Sequence, residues 1–280
     1  MIADKNRIIP GKHGKEILLD IFYVETGRKK PVVIFAHGFK GFKDWGHFNR
    51  VAARFAEKGF VFIKFNFSHN GTTTKKPTEF ADLTAFGQNN YTIEQDDLGC
   101  VIDELERGIL LPEEEFDMEQ AYLLGHSRGG AMVIIKANED ERIKKVATWA
   151  AVSFIGTQMG EDQLKKWEKK GVVYVPNSRT GQNMPMYWQL VEDFRKNEER
   201  FNVVKAASNL KIPLFVVHGT RDETVPFKEA QILTEAAPKG ELFEIDGASH
   251  TFGGSHPYIN EMLPLHAQIA VDKTIAFFKR

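Results

Sequence analysis

The 280-residue chain carries 37 basic and 38 acidic side chains, a formal net charge of −1, so it offers no broad basic field for nucleic acid or an anionic membrane. Its one cysteine, Cys100, excludes an intrachain disulfide, and no run approaches the roughly 20 apolar residues of a membrane span or the apolar stretch of a secretory leader. These totals point to a soluble, cytoplasmic α/β domain over residues 1–280, a monomer or homodimer whose partner is a small neutral or weakly charged molecule.

Runs rich in β-branched and aromatic residues alternate with segments of helical spacing, the signature of βαβ units. Residues 16–25 (EILLDIFYVE) and 31–38 (PVVIFAHG) read as strands. The second runs into HGFKGFKDWG, a glycine-rich turn that can bring the Phe39 amide toward a reacting oxygen. Phe48, Val51, Ala52 and Phe55 recur at i, i+3, i+4 and i+7, one buried stripe on a helix that stops near Gly59. After a strand over 60–68 comes a helix with Leu98, Val101, Ile102 and Leu105 on one face, expected to start at a reciprocal cap between Thr92 and Gln95.

The strand at 120–127 ends in GHSRGGAM, with Ser127 between Gly125 and Gly129 and a helical run directly after it. A sharp strand-to-helix turn holds its central residue in a strained conformation, and side chains at the flanking glycine positions would collide there. Ser127 Oγ is then exposed at the carboxyl edge of the sheet, and the Arg128 amide lies at the positive end of a helix, suited to a developing oxyanion.

A strand at 146–152 is followed by a long charged and aromatic segment, 153–208, read as a lid inserted into the domain and helical in pieces. From it Tyr187 and Trp188, together with Trp149 at the preceding strand end, are candidates to stack on an aromatic acyl group, and Arg179 is a candidate to pair with a carboxylate. The strand at 213–219 ends in HGTRDETVPF, placing Asp222 just beyond it with Glu223 as the alternative acid and Pro226 at the start of the next helix. The strand at 241–246 ends in EIDGASHTFGG, which puts His250 at the same edge with His256 as its competitor. His37 and His218 end apolar strands and read as structural. A helix over 263–278 closes the chain. No histidine pair has metal-ligand spacing and no strand-linked phosphate loop is present, so neither a metal nor another cofactor is expected.

A serine nucleophile needs a histidine base and a carboxylate to orient it, and Ser127, Asp222 and His250 occur in the order that strand ends can supply. HGF after a central strand, GHSRGG, HGTRDETVP and GASHTF together resemble the α/β-hydrolase superfamily over nearly the whole chain, in particular bacterial feruloyl or cinnamoyl-type esterases and dipeptidyl-peptidase-like hydrolases. The resemblance implies an α/β-hydrolase fold: a mostly parallel eight-stranded sheet flanked by helices, with a short cap matching 153–208. It maps Ser127 to the nucleophile, Asp222 to the acid, His250 to the base, and Phe39 and Arg128 to the oxyanion amides. One departure is NFSHNGTTT after the fourth strand, where many relatives have an arginine-glycine-histidine-glycine type sequence. Without a cysteine at the elbow the dienelactone-hydrolase variant is disfavoured. The expected reaction is cleavage of small or hydroxycinnamoyl-type carboxylic esters through an acyl-enzyme. Amide hydrolysis of the dipeptidyl-peptidase type and a noncatalytic ligand-binding protein are the alternatives.

Overall fold

The computed structural model describes residues 1–280. In chain order the strands are β1 (Ile2–Pro10), β2 (Glu16–Tyr23), β3 (Lys30–Ala36), β4 (Val61–Asn66), β5 (Phe116–His126), β6 (Ile143–Trp149), β7 (Val172–Asn177), β8 (Gln182–Tyr187), β9 (Leu214–Gly219) and β10 (Gly240–Ile245). Eight of them form one sheet in the order β1-β2-β4-β3-β5-β6-β9-β10, while β7 and β8 pair apart from it. Only the β1–β2 and β2–β4 pairs in the large sheet are antiparallel, so the expected α/β-hydrolase architecture is present.

Helices cover both faces, which is why the central strands carry near-continuous apolar runs such as Val32–Ala36 of β3. Val32, Ile34 and Ala36 of β3 enter a core of 45 buried residues shared with α3 (Tyr91–Glu106), α4 (Arg128–Glu139), α7 (Val203–Asn209) and α8 (Phe227–Ala236). Val33 and Phe35, pointing the other way, enter a core of 26 with α1 (Phe48–Glu57) and α9 (Leu265–Lys279). The α1 stripe of Phe48, Val51, Ala52 and Phe55 is buried as its spacing predicts, and the chain leaves that helix through Gly59 at φ 88°.

Two local expectations are corrected, and one element that the sequence did not indicate is added. The start of α3 is capped not by Thr92 and Gln95 but by Asn90, whose side chain accepts from the Ile93 amide at 2.9 Å. Thr92 Oγ1 instead donates to Asp193, and Gln95 Nε2 donates to the Met132 carbonyl. The edge strand β1 has no apolar face to betray it, since only Ile9 is buried, and it is held by backbone pairing to β2. Residues 153–208 hold α5 (Glu161–Lys170), the β7–β8 hairpin, α6 (Gln189–Lys196) and most of α7, so this segment is not helical alone. VVYVPN favours a strand, and Gly181 at φ 70° turns it back. Because α7 packs against α4 and α8, the excursion from the layered core ends by Asn202.

Candidate active site

β5 ends at His126 and α4 begins at Arg128, so Ser127 alone turns the chain, at φ 55° and ψ −123°. That region is strained for any residue with a Cβ, and the surrounding glycines show what imposes it. A Cβ on Gly125 would lie 2.3 Å from the Gly129 carbonyl oxygen, and one on Gly129 would lie 2.3 Å from that of Ala36. Strand, helix and β3 therefore close directly on the turn. Gly38 brings the next loop equally near, since a Cβ there would sit 2.8 Å from Ser127 Cβ. The loop carrying the Phe39 amide is thus pressed against the serine, and the Arg128 amide heads α4 at its positive end.

Buried side chains hold this loop in place. His37, driven down to about 4 by burial, bonds through Nδ1 to the Gly38 carbonyl at 2.9 Å. As a neutral ring it donates there and leaves Nε2 to accept from the Phe67 amide at 3.4 Å. The Arg128 guanidinium lies 4.6 Å over the Phe39 ring and is paired with the buried Glu94 carboxylate. Burial raises the Glu94 carboxyl, and Arg128 with Asn89 offsets part of the rise. Ser68, His69 and Asn70 are all buried, and Asn70 Nδ2 donates to the Gly41 carbonyl at 3.2 Å. The departure NFSHNG thus forms a bracket behind the loop, not a wall of the cavity.

Asp222 follows β9. Its Oδ1 accepts from the Thr224 and Val225 amides at 2.8 Å each, and its Oδ2 lies 2.8 Å from His250 Nδ1 and 3.3 Å from His218 Nε2. Burial alone would raise this carboxyl, but bonds from His218, His250 and the Val225 amide outweigh it and hold the group well below the ordinary carboxylate range. An ionised Asp222 fixes the His250 tautomer, with the hydrogen on Nδ1 and Nε2 bare. His218 is fully buried and bonds to the Val225 carbonyl at 2.9 Å, a structural role. Glu223 is exposed.

A residue the sequence did not single out completes the arrangement. His126 Nε2 donates to the His250 carbonyl oxygen at 3.0 Å, tying the loop that carries His250 to the residue beside Ser127. Burial, with His250 nearby, pushes the His126 imidazole down to about 3, so it stays a neutral donor. Its position in GHSRGG was the available signal, but nothing in the sequence shows where its ring points.

Ser127 and His250 line one cavity of about 350 Å³. They form no direct hydrogen bond with each other, the one ring nitrogen of His250 that is bonded being Nδ1, to Asp222. Arg179 lines the same cavity from the β7–β8 turn, 5.1 Å from the Phe42 ring and donating to the Lys40 carbonyl. Three other expected contacts do not reach it. Trp149 is 1% exposed, with its indole N–H bound to Thr274 Oγ1 in the core. The Tyr187 ring covers Gly87 of α2 (Leu83–Gln88), and Trp188 packs edge-on against Trp167 at 5.8 Å. The aromatic walls are Phe39, Trp45 and Phe48 instead. His256 accepts from the Gly46 amide at 3.0 Å and takes no part in the lining. No three His, Cys, Asp or Glu side chains are grouped to hold a metal ion, and no helix is long and apolar enough to cross a membrane.

The model of the dienelactone hydrolase family matches residues 21–280. It extends across the elbow although Ser127, not a cysteine, stands there, so the lack of cysteine does not separate the chain from that family. Among solved structures, ferulic-acid-bound Est1E from Butyrivibrio proteoclasticus superposes with a TM-score of 0.74 at 16% identity, covering 98% of each chain. The α/β hydrolase GrgF from Penicillium sp. sh18 gives 0.71 at 15%, covering 100% of this chain and 99% of that one. A curated relative is a Mycobacterium phage D29 protein given the provisional name non-heme haloperoxidase, 23% identical and covering 84% of this chain and 88% of that protein.

Proposed function

The chain belongs to the dienelactone hydrolase family, and from that premise we propose that it is a serine hydrolase that cleaves small carboxylic esters through an acyl-enzyme. The carrying observation is the strained Ser127 at the head of α4, facing the cavity into which His250 projects with its Nδ1 held by Asp222.

In this reading Ser127 Oγ attacks the ester carbonyl while His250 Nε2 takes its proton. The Phe39 and Arg128 amides hold the resulting oxyanion, an interaction worth about 10²–10³ in rate for each donor. Collapse expels the alcohol, which carries away the proton from His250. Water, deprotonated by the same nitrogen, then releases the acid. Asp222 stays ionised throughout and stabilises the imidazolium.

A cavity of about 350 Å³ is at the small end of ligand sites, which favours short esters over long chains. Phe39, Trp45 and Phe48 suit a planar aromatic acyl group of the hydroxycinnamoyl kind. Asn177 and Arg179 both line this cavity and bring hydrogen-bond donors to its wall, which suits a substrate with a second oxygen-bearing group. The test is steady-state hydrolysis of p-nitrophenyl acetate, a long-chain p-nitrophenyl ester and methyl hydroxycinnamate. The short and aromatic esters should turn over fastest, and Ser127→Ala should lower kcat by about 10³ or more. Undiminished turnover in that variant would remove the proposal.

A further inference from the structure

We infer that the inserted segment contains a second binding site, for a neutral, largely apolar small molecule, that does not open onto Ser127. A predominantly apolar cavity of about 470 Å³ lies in this segment and not at the serine. Its body is made by Tyr91, Trp167, Met186, Leu190, Val191 and Phe194, and none of its lining residues also lines the serine cavity.

Its volume is that of a pocket for a drug-sized ligand, and two features of its wall set the class of occupant. Its polar wall atoms are already used: the Tyr91 hydroxyl donates to the Ile155 carbonyl, and the Trp167 indole N–H donates to that of Met186 at 3.0 Å. None of the chain's buried unpartnered polar atoms belongs to this lining, so an apolar occupant strands no donor or acceptor. No charged side chain lines it either, and Gln158 and Gln163, its longest polar residues, are exposed at the rim. The serine cavity is the opposite, with Lys40, Arg179 and His250 in its wall.

The two cavities share no lining residue. A separate gap of only about 10 Å³ touches Met186 and Leu190 of the apolar cavity and Phe39 of the serine cavity, too small for more than one water. A substrate acyl group therefore does not reach the apolar cavity from Ser127 in this conformation.

The test uses Nile red, a neutral apolar dye whose emission rises in apolar surroundings, with the full chain and two variants. Val175→Trp fills the apolar cavity from its half-exposed wall, and Thr224→Trp crowds the serine cavity from its exposed rim. The inference predicts saturable binding of one dye per chain, weakened about tenfold or more by Val175→Trp and changed less than about twofold by Thr224→Trp. Circular dichroism establishes that each variant is folded, and Val175→Asp, which places a charge on the same wall, should weaken binding in the same way. Dye binding lost in Thr224→Trp but kept in both Val175 variants, or non-saturating binding indifferent to all three, overturns the inference. Neither result depends on ester turnover, so the hydrolase reading stands or falls separately.

Discussion

Asp97, on α3, is fully buried; one carboxylate oxygen accepts from the Ser68 amide at 2.7 Å and the other has no partner. Burial raises this carboxyl to about 7, the bond from Ser68 lowering it only in part. Below the ordinary carboxyl value of 3.8 both folded and unfolded chains hold the proton, while between there and about 7 only the folded chain does. Stability therefore falls as pH rises through that window and levels off above it. Asp97→Asn keeps an acceptor for the Ser68 amide and removes the titration. Urea unfolding at pH 5 and pH 7.5 should show wild-type stability dropping by on the order of 2 kcal/mol across the interval and the variant changing little from this source. A wild type and variant that fall in parallel would contradict the assignment. At this scale the sequence was informative where the local chain decides: Ser127 between its glycines, and Asp222 and His250 just past strand ends. It was uninformative for Trp149, Tyr187 and Trp188, because which way an aromatic ring faces is set by distant partners such as Thr274, Gly87 and Trp167.

The apolar strands β2 and β4 each carry one misplaced charge, Asp20 and Lys64, and the two are direct cross-strand partners. With Lys43 and Asp44 from the loop after β3 they close a neutral ring of four ion pairs, each 2.5–2.7 Å long, in which Asp20, Lys43 and Lys64 have no side-chain exposure. The ring ties the loop that also carries Phe39 to the middle of the sheet. Removing one member leaves an unbalanced buried charge, so Lys64→Met should cost about 3–5 kcal/mol of unfolding free energy. Lys64→Met with Asp20→Asn, which restores neutrality and leaves the Lys43–Asp44 pair, should recover a large part of that loss in the same denaturant titration. A double variant as unstable as the single one would show that packing of the lysine stem, not charge balance, sets the cost. Two opposite charges inside neighbouring apolar runs were a readable sign of such a pair, but their junction with Lys43 and Asp44 depends on a tertiary meeting that spacing does not encode. The β7–β8 hairpin was missed for a related reason: its strands are short and isolated, and charged helices flank them, so the surrounding helical periodicity dominates the pattern.

Across the whole molecule, the alternation of strand and helix made the parallel sheet and its two helical layers legible, because strands buried on both faces must be apolar throughout. The edge strand β1 and the internal structure of residues 153–202 were not legible, since neither supplies the large apolar faces that reveal an element. The fold brings three strand ends together, with Ser127 after β5 and His250 after β10 on one cavity and the Asp222 side chain after β9 buried behind His250, and that convergence underlies the proposed chemistry. It is tested most directly by intact-protein mass spectrometry after treatment with a fluorophosphonate, with the modified peptide then mapped. The account predicts a single adduct on Ser127, absent in Ser127→Ala and formed about 10³-fold more slowly or worse in His250→Ala, which leaves the serine without its base. An adduct on another residue, or equal labelling rates with and without the His250 imidazole, would contradict it.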